Sequence, residues 1–311
     1  MKIVVTGGTG LVGQYLQKYV DAVYLSSKDY DLTKESSVMR MYLEHRPEVV
    51  IHLAAKVGGI MDNIAHPFQY YEDNLLMNTF LVKYARLFGV KKFVGVLSSC
   101  IYPDVVDHYP LVEEDLHKDL PNANNFGYGY AKRVMGCHID IARKEGLNYS
   151  YIIPSNLYGE YEHGDVSRKH FVGALLEKIY IAKQNGDKNI TLYGDGTPLR
   201  QFTYAKDVAE ILDLIVKYDV KENMNISVPD NLTIDQMAKL ALEATDAQHL
   251  GIWYDVTKPN GQYRKDIDTS KFTNIFPNYE FTSYVHGIKQ TYNTLYGRQE
   301  TSNPKPSSRV Y

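Results

Sequence analysis

Cysteine is nearly absent from this chain, which has only Cys100 and Cys137 among 311 residues. Two thiols make no disulfide framework and fit a reducing cytoplasm. Neither lies in a Cys/His cluster with metal-ligand spacing, so no metal is expected. An excess of either charge is also missing. The 34 Lys and Arg against 37 Asp and Glu leave a net charge of -3. That balance argues against a nucleic-acid partner held by bulk electrostatics. No apolar run approaches the roughly 20 residues that cross a bilayer, so no membrane partner is expected. The first strand-like run starts at Lys2, which leaves no room for a secretory leader and again points to the cytoplasm. No repeat or low-complexity block stands out except the polar tail 301–309, expected to be disordered. Tryptophan occurs once and tyrosine 27 times, an imbalance the sequence alone does not explain.

What is present begins at the amino terminus. Lys2-Ile3-Val4-Val5 is a short β-branched run, followed at once by Thr6-Gly7-Gly8-Thr9-Gly10-Leu11-Val12-Gly13 and an amphipathic segment to Val20. Strand, glycine turn and helix are the context a dinucleotide fingerprint requires. Glycines at 7, 10 and 13 let backbone approach a pyrophosphate at a helix N-terminus, where N–H groups and the dipole favour anions. A second strand, Ala22-Val23-Tyr24-Leu25, ends in Ser26-Ser27-Lys28. A site for NAD carries an acidic residue there for the ribose 2′-hydroxyl. Hydroxyls and a lysine suit a 2′-phosphate instead, so NADPH is expected with Ser27 and Lys28 at that phosphate. Asp29 and Asp31 lie close by, and Asp31-Leu32 would flank the adenine.

After a helix over 35–44, Val49-Val50-Ile51-His52-Leu53-Ala54-Ala55 reads as the third strand, with small residues at its end leaving space for the cofactor. His52, inside this apolar run, is expected to be a satisfied core histidine. Val57-Gly58-Gly59-Ile60 forms a loop at the same edge, and 73–88 a long helix with Asn74 and Asn78 one turn apart. The apolar run Phe93-Val94-Gly95-Val96-Leu97 then delivers Ser98-Ser99-Cys100-Ile101-Tyr102-Pro103 at the carboxyl end of a fourth strand. Ligands bind at that edge of open α/β sheets. Residues 122–126 offer N-cap candidates for the next helix, 128–144. Tyr128 and Lys132 stand four apart and so share a helix face. An ammonium beside a phenol favours the phenolate and is expected to lower the Tyr128 pKa. Such pairs also arise on solvated helices, and the glycine turn is what favours the catalytic reading.

Ser150-Tyr151-Ile152-Ile153-Pro154 is the fifth strand and runs into Ser155-Asn156-Leu157-Tyr158-Gly159. Strands alternating with helices predict an α/β, doubly wound parallel Rossmann sheet with a smaller mixed α/β substrate-binding subdomain. The dinucleotide domain is expected over 1–160 with a return around 190–228, and the substrate part over 161–189 and 229–311. Within these, 171–183, 207–218 and 234–244 read as helices, 190–193, 202–204 and 224–228 as strands, and a last helix ends near Tyr296.

Taken together, the glycine spacing, Ser98, Tyr128 and Lys132 resemble the extended short-chain dehydrogenase/reductase family. Further motifs narrow the resemblance to the branch that epimerises and reduces GDP-4-keto-6-deoxy-mannose. They are His52-Leu53-Ala54-Ala55-Lys56-Val57-Gly58-Gly59-Ile60, the Ser98–Pro103 stretch with its cysteine, Pro154-Ser155-Asn156-Leu157-Tyr158-Gly159, His170 ahead of Ala174-Leu175-Leu176, and Gly196-Thr197-Pro198-Leu199-Arg200-Gln201-Phe202. The resemblance runs from Met1 to about Tyr296. It implies that Ser98 orients the C4 carbonyl and that Tyr128, assisted by Lys132, protonates O4. On spacing alone Cys100 would be an inert thiol and His170 a helix-start histidine without a role. The resemblance makes them the base and acid at C3 and C5, whose reference pKa values of about 8.5 and 6.5 bracket neutral pH.

Cofactor contacts implied in the same way are Gly7, Gly10, Leu11, Val12, Gly13, Leu53, Ala54, Ala55, Tyr128, Lys132, Pro154, Asn156, Leu157 and His170. For the GDP-sugar they are Asn156, Lys178, Tyr193, Arg200 and Asp268, with Lys178 and Arg200 on the diphosphate. A homodimer paired through the helices 73–88 and 128–144 is expected. One departure stands out: after Gly159 the family continues with a Pro-(His/Asn)-Asp-Asn-like segment, whereas this chain has Glu160-Tyr161-Glu162-His163-Gly164. Competing readings are a 4-epimerase or dehydratase retaining NAD, a 4-ketoreductase without epimerase activity, and a non-catalytic cofactor-binding scaffold. Ser26-Ser27-Lys28 and Cys100 count against the first, and the intact Ser98, Tyr128 and Lys132 against the last.

Overall fold

The computed structural model describes residues 1–162, 169–258 and 260–297. The tail 301–309, His163 and Gly164 lie outside the described residues. Six parallel strands form the central sheet: β1 (Ile3–Thr6), β2 (Val23–Leu25), β3 (Val49–His52), β4 (Lys92–Val96), β5 (Tyr149–Pro154) and β10 (Met224–Ile226), in the order β10-β5-β4-β3-β1-β2. Between β5 and β10 come β6 (Asn156–Tyr158), β7 (Asn189–Tyr193), β8 (Leu199–Arg200) and β9 (Phe202–Tyr204), and after β10 come β11 (Leu232–Thr233) and β12 (Gly251–Asp255). The helices are α1 (Leu11–Leu16), α2 (Glu35–His45), α3 (Ile60–Ala65), α4 (Pro67–Leu87), α5 (Phe126–Lys144), α6 (Phe171–Asn185), α7 (Ala205–Lys217), α8 (Ile234–Ala244), α9 (Ser270–Ile275) and α10 (Tyr284–Tyr296).

The strands are predominantly apolar because both faces of the sheet are covered. Ile3, Val5, Val49, Ile51, Val94 and Ile152 point into a core shared with α1, α6, α7, α8 and α10. Their neighbours Val4, Val50, Phe93 and Ile153 point the other way, into a core with α2, α4 and α5. This is the expected doubly wound α/β arrangement. Helix α8 carries a capping box, with Thr233 accepting from the Gln236 N–H and Gln236 reaching back to Thr233.

Three local readings change. Helix α4 starts at Pro67, earlier than 73, because a proline at the first helical position gives up an N–H that has no intrahelical partner there. Helix α5 starts at Phe126, earlier than 128; its N-cap is Asn125, within the expected 122–126 but without a side-chain hydrogen bond, while Asn122 caps the short 3₁₀ turn Ala123–Asn125, accepting from the Asn124 N–H. Strand β7 stays out of the central sheet and pairs in parallel with β12, while β6 pairs with β9 and β8 with β11.

Candidate active site

The chain leaves β1 for β2 on one side and reaches β3 on the other, so the carboxyl ends of β1 and β3 flank the switch point of the sheet. Gly7 lies there with φ +76°, and a Cβ on it would sit 2.6 Å from the Ala54 nitrogen. A Cβ on Gly13 would sit 2.5 Å from the Gly7 carbonyl oxygen. Turn, helix and the Leu53–Ala54 segment therefore meet backbone to backbone. No side chain caps α1 at Gly10, so the N–H groups of Leu11, Val12 and Gly13 face outward from an uncapped helix start. A pyrophosphate fits this cradle.

The second strand ends in a turn that decides the ribose question. The Asp29 carboxylate accepts from the Ser26 N–H at 2.8 Å and its hydroxyl at 2.7 Å. Asp31 accepts from the Thr33 hydroxyl at 2.6 Å and pairs with Lys34 at 3.1 Å. Hydrogen bonds from Ser26 and from Thr33 hold both carboxyls below their usual range. Both acids are thus engaged in their own turns, while Ser27 and Lys28 are exposed. The Lys28 ammonium has no hydrogen bond among the described residues, so these residues fit a 2′-phosphate. Lys28→Ala is expected to raise KM for NADPH by roughly 10- to 100-fold, the worth of one charge-assisted hydrogen bond. KM for NADH should barely move, and steady-state kinetics with both cofactors checks the ratio.

At the end of β4, Ser98 opens a 3₁₀ turn, Ser99–Ile101, and its hydroxyl accepts from the Cys100 N–H at 3.3 Å. Helix α5 lies against this turn because residue 129 is glycine: a Cβ there would sit 2.5 Å from the Cys100 carbonyl oxygen. Arg133 clamps the contact, donating Nε and Nη2 to the Ile101 carbonyl at 2.8 and 2.6 Å and Nη1 to that of Asp119 at 2.6 Å. Tyr128 is thereby fixed beside Ser98 and Cys100. Burial pushes its pKa up, Cys100 and Tyr70 add to this, and hydrogen bonding to Ser98 opposes it.

That direction corrects the expectation from spacing. The Lys132 ammonium turns to the Val96 carbonyl at 2.8 Å, and burial brings its own pKa down to about 7. Lys132 therefore does not draw Tyr128 toward the phenolate, and the phenol stays protonated, as a proton donor must. Beneath the pair, His52 is the satisfied core histidine it was expected to be. Its Nδ1 lies 2.8 Å from the Thr6 hydroxyl and its Nε2 2.9 Å from Asn78 Oδ1, and burial brings its pKa to about 3. Asn78 in turn donates to the Ala131 carbonyl at 3.2 Å, tying β1, β3, α4 and α5 together. Asn74 pins the loop after β3, exchanging hydrogen bonds of 3.0 Å with the Lys56 backbone.

Cys100 is the meeting point of the site. Lys265 places its ammonium 3.4 Å from the thiol sulfur. Burial opposes ionisation of the thiol, yet Lys265, the Ser98 hydroxyl and His170 outweigh it, and the pKa falls below its ordinary value. His170 moves the other way: burial would lower its pKa, but Glu162 outweighs that and raises it, and Cys100 adds to the rise. Arg200 is close enough for its charge to interact with Cys100 and donates to the carbonyls of Leu199, at 2.7 Å, and Gln262. It has no carboxylate partner among the described residues. Lys265 and Glu162 were missed in the sequence. Lys265 arrives on the 260–268 stretch, anchored by Ile267 N–H to Gln201 Oε1 at 2.9 Å and by Asp268 N–H to the Leu111 carbonyl at 2.8 Å. No local spacing announces either contact.

The expected residues thus divide. Ser98, Cys100, Tyr128, His170 and Arg200 converge, with Lys132 behind them. Asn156 lies on β6 with its amide on the Gln201 carbonyl at 2.8 Å, just beyond Pro154. Tyr193 forms a second cluster, exposed, with the Lys178 ammonium 4.9 Å and that of Lys258 5.9 Å from its ring centre. The Asp268 carboxylate is turned to the start of α9, accepting from the Ser270 N–H at 2.9 Å and hydroxyl at 3.1 Å. Glu160, in the departing segment, is buried and accepts from the hydroxyls of Tyr15 and Tyr204.

Comparison with known proteins agrees with this geometry. Residues 3–227 match the NAD dependent epimerase/dehydratase family. A GDP-L-fucose synthase of Dictyostelium discoideum is 32% identical over 96% of this chain and 97% of its own length. A probable GDP-L-fucose synthase of Drosophila melanogaster is 32% identical over 92% of this chain and 94% of its own. The crystal structure of a GDP-L-fucose synthetase from Naegleria fowleri bound to NADP superposes with a TM-score of 0.85 at 33% identity, covering 96% of this chain and 93% of that one.

Proposed function

The chain belongs to the NAD dependent epimerase/dehydratase family, and from that footing we propose that it converts GDP-4-keto-6-deoxy-mannose to GDP-L-fucose with NADPH. The observation that carries this reading is the convergence of Cys100, with the Lys265 ammonium 3.4 Å from its sulfur, and His170, held by Glu162, beside Ser98 and Tyr128. A plain ketoreductase needs only the tyrosine.

A 4-keto group acidifies the hydrogens on both neighbouring carbons. Cys100, as thiolate, takes the proton from one face, and the electron pair passes to O4, where Ser98 and Tyr128 donate hydrogen bonds. His170, as imidazolium, returns a proton to the opposite face, so one proton leaves, one arrives and the centre is inverted. Solvent resets both groups, and the cycle serves C3 and C5. NADPH supplies the hydride for C4 when bound, and Tyr128 delivers its proton to O4. The sum is keto sugar, NADPH and a proton giving alcohol and NADP⁺.

Arg200 and Lys178 take the diphosphate in this reading, Arg200 suited to two-pronged contact, and Tyr193 offers an aromatic face to the nucleotide. Residues 1–160, with the return through α7 and β10, would hold the dinucleotide, and the rest the GDP-sugar. A homodimer is supported by the exposed Phe68 and Leu87 on α4 and Ile141 on α5. Among the described residues no helix is long and apolar enough to cross a membrane; two free cysteines and NADPH chemistry favour the cytoplasm. The test is NADPH oxidation on adding GDP-4-keto-6-deoxy-mannose, with the product identified by NMR. GDP-L-fucose is expected. An uninverted sugar would leave a ketoreductase, and no oxidation would overturn the substrate.

A further inference from the structure

Glu162 and Lys265 touch the two groups assigned to proton movement, His170 and Cys100. Glu162 Oε1 accepts from the His170 backbone N–H at 2.6 Å and lies 2.5 Å from imidazole Nδ1. A carboxylate at Nδ1 keeps the proton there and leaves Nε2 as the exchanging atom. The other oxygen, Glu162 Oε2, is buried and has no hydrogen-bond partner among the described residues. It is directed at α6, where a Cβ on Gly173 would sit 2.0 Å from it. The helix has thus been opened at residue 173 for a carboxylate that is only half satisfied. Helix capping alone does not explain that arrangement, because a buried acceptor without a donor costs stability.

We propose that Glu162 and Lys265 are positioning residues that set the direction of proton flow at the substrate, Glu162 by holding His170 through Nδ1 and Lys265 by facing the Cys100 sulfur. Among the described residues the charged and titratable groups facing the pair are these. Cys100 is faced by Lys265, His170, Ser98, Tyr128 and Arg200, and His170 by Glu162, Cys100 and Lys265. A cation stands against the group that must lose a proton first, and an anion against the group that must hold one. That this flow inverts a sugar centre rests on the function proposed above; the polarisation of the pair does not.

Two titrations of the substrate-free protein test it. In a Cys137→Ser background, the rate of Cys100 alkylation by iodoacetamide is followed against pH. Lys265→Met is expected to move the midpoint up by about one unit or more, tenfold in thiolate below the midpoint. The His170 Cε1–H resonance is followed by NMR in the same way. Glu162→Gln keeps an amide oxygen to cap α6 but removes the charge, and it is expected to move the His170 midpoint down. Gly173→Ala, which leaves every charge in place and only displaces the carboxylate, should do the same. If Gly173→Ala does not fold, Glu162→Gln decides alone. A thiol midpoint unmoved by Lys265→Met, or a His170 midpoint unmoved by Glu162→Gln, overturns the proposal. Failure of the keto sugar to react would leave both midpoints as they are, so the two readings fail separately.

Discussion

Tyr128→Phe is expected to cut NADPH oxidation by on the order of 10²- to 10⁴-fold, the usual worth of one positioned proton donor. The substitution removes a single oxygen. Tyr128 is held by the packing of α5 against the 99–101 turn, through Gly129 and the Arg133 clamp, and none of these contacts involves its hydroxyl. The fold should therefore survive, and circular dichroism with a thermal melt would register any loss. Because burial holds the Tyr128 pKa above its ordinary value, the wild-type phenol stays protonated through neutral pH and reduction should show no Tyr128 limb there. Deuterium should still enter C3 and C5 from D₂O in the variant, since Cys100 and His170 are untouched. Wild-type turnover in Tyr128→Phe would remove the tyrosine from the mechanism and require another proton donor at O4.

The parts of this site that could be read in advance are those whose cause is local. A β-branched run followed by glycines at 7, 10 and 13 has few other uses than the turn it makes. The apolar strands were legible because helices cover both faces, which removes the polar alternation of a half-exposed strand. Tyr128 and Lys132 share a helix face by spacing alone. Spacing did not say where the lysine head would go, and the Val96 carbonyl, 36 residues away in sequence, took it. The tyrosine pKa consequently runs opposite to the local argument. Lys265 and Glu162 escaped for the same reason: one meets Cys100 across 165 residues, and the other depends on a glycine in the next helix.

The tyrosine surplus also acquires an account. Tyr15, Tyr42, Tyr102 and Tyr204 are buried rings whose hydroxyls end on Glu160, the Leu81 carbonyl, Asn225 and Glu160 respectively. Each fills core volume and satisfies a polar group that phenylalanine would leave alone. Two of them converge on Glu160, at the point where the segment after Gly159 departs from the resemblance. The departure therefore turns inward at Glu160 and toward His170 at Glu162, and both described carboxylates are built into the fold.

Cys100→Ser is expected to suppress deuterium incorporation at C3 and C5 by about 10²- to 10⁴-fold while leaving the protein folded. A serine hydroxyl fills nearly the same space, but its proton is far too tightly held for the Lys265 charge to favour the alkoxide at neutral pH. The thiol, by contrast, is already below its ordinary pKa beside that ammonium. The pH profile of exchange in the wild type gives the sign. Base function needs thiolate, so exchange rises with pH through the Cys100 pKa; acid function needs imidazolium, so it falls through that of His170. With the first lowered and the second raised, the two limbs approach each other and the optimum falls between the ordinary values of about 6.5 and 8.5. In Cys100→Ser the rising limb should vanish from this range. NADPH oxidation in the variant should yield uninverted sugar, or stop, depending on whether Tyr128 can reach O4 before inversion. Exchange at the wild-type rate would exclude Cys100 as the base and leave its contact with Lys265 without a catalytic purpose.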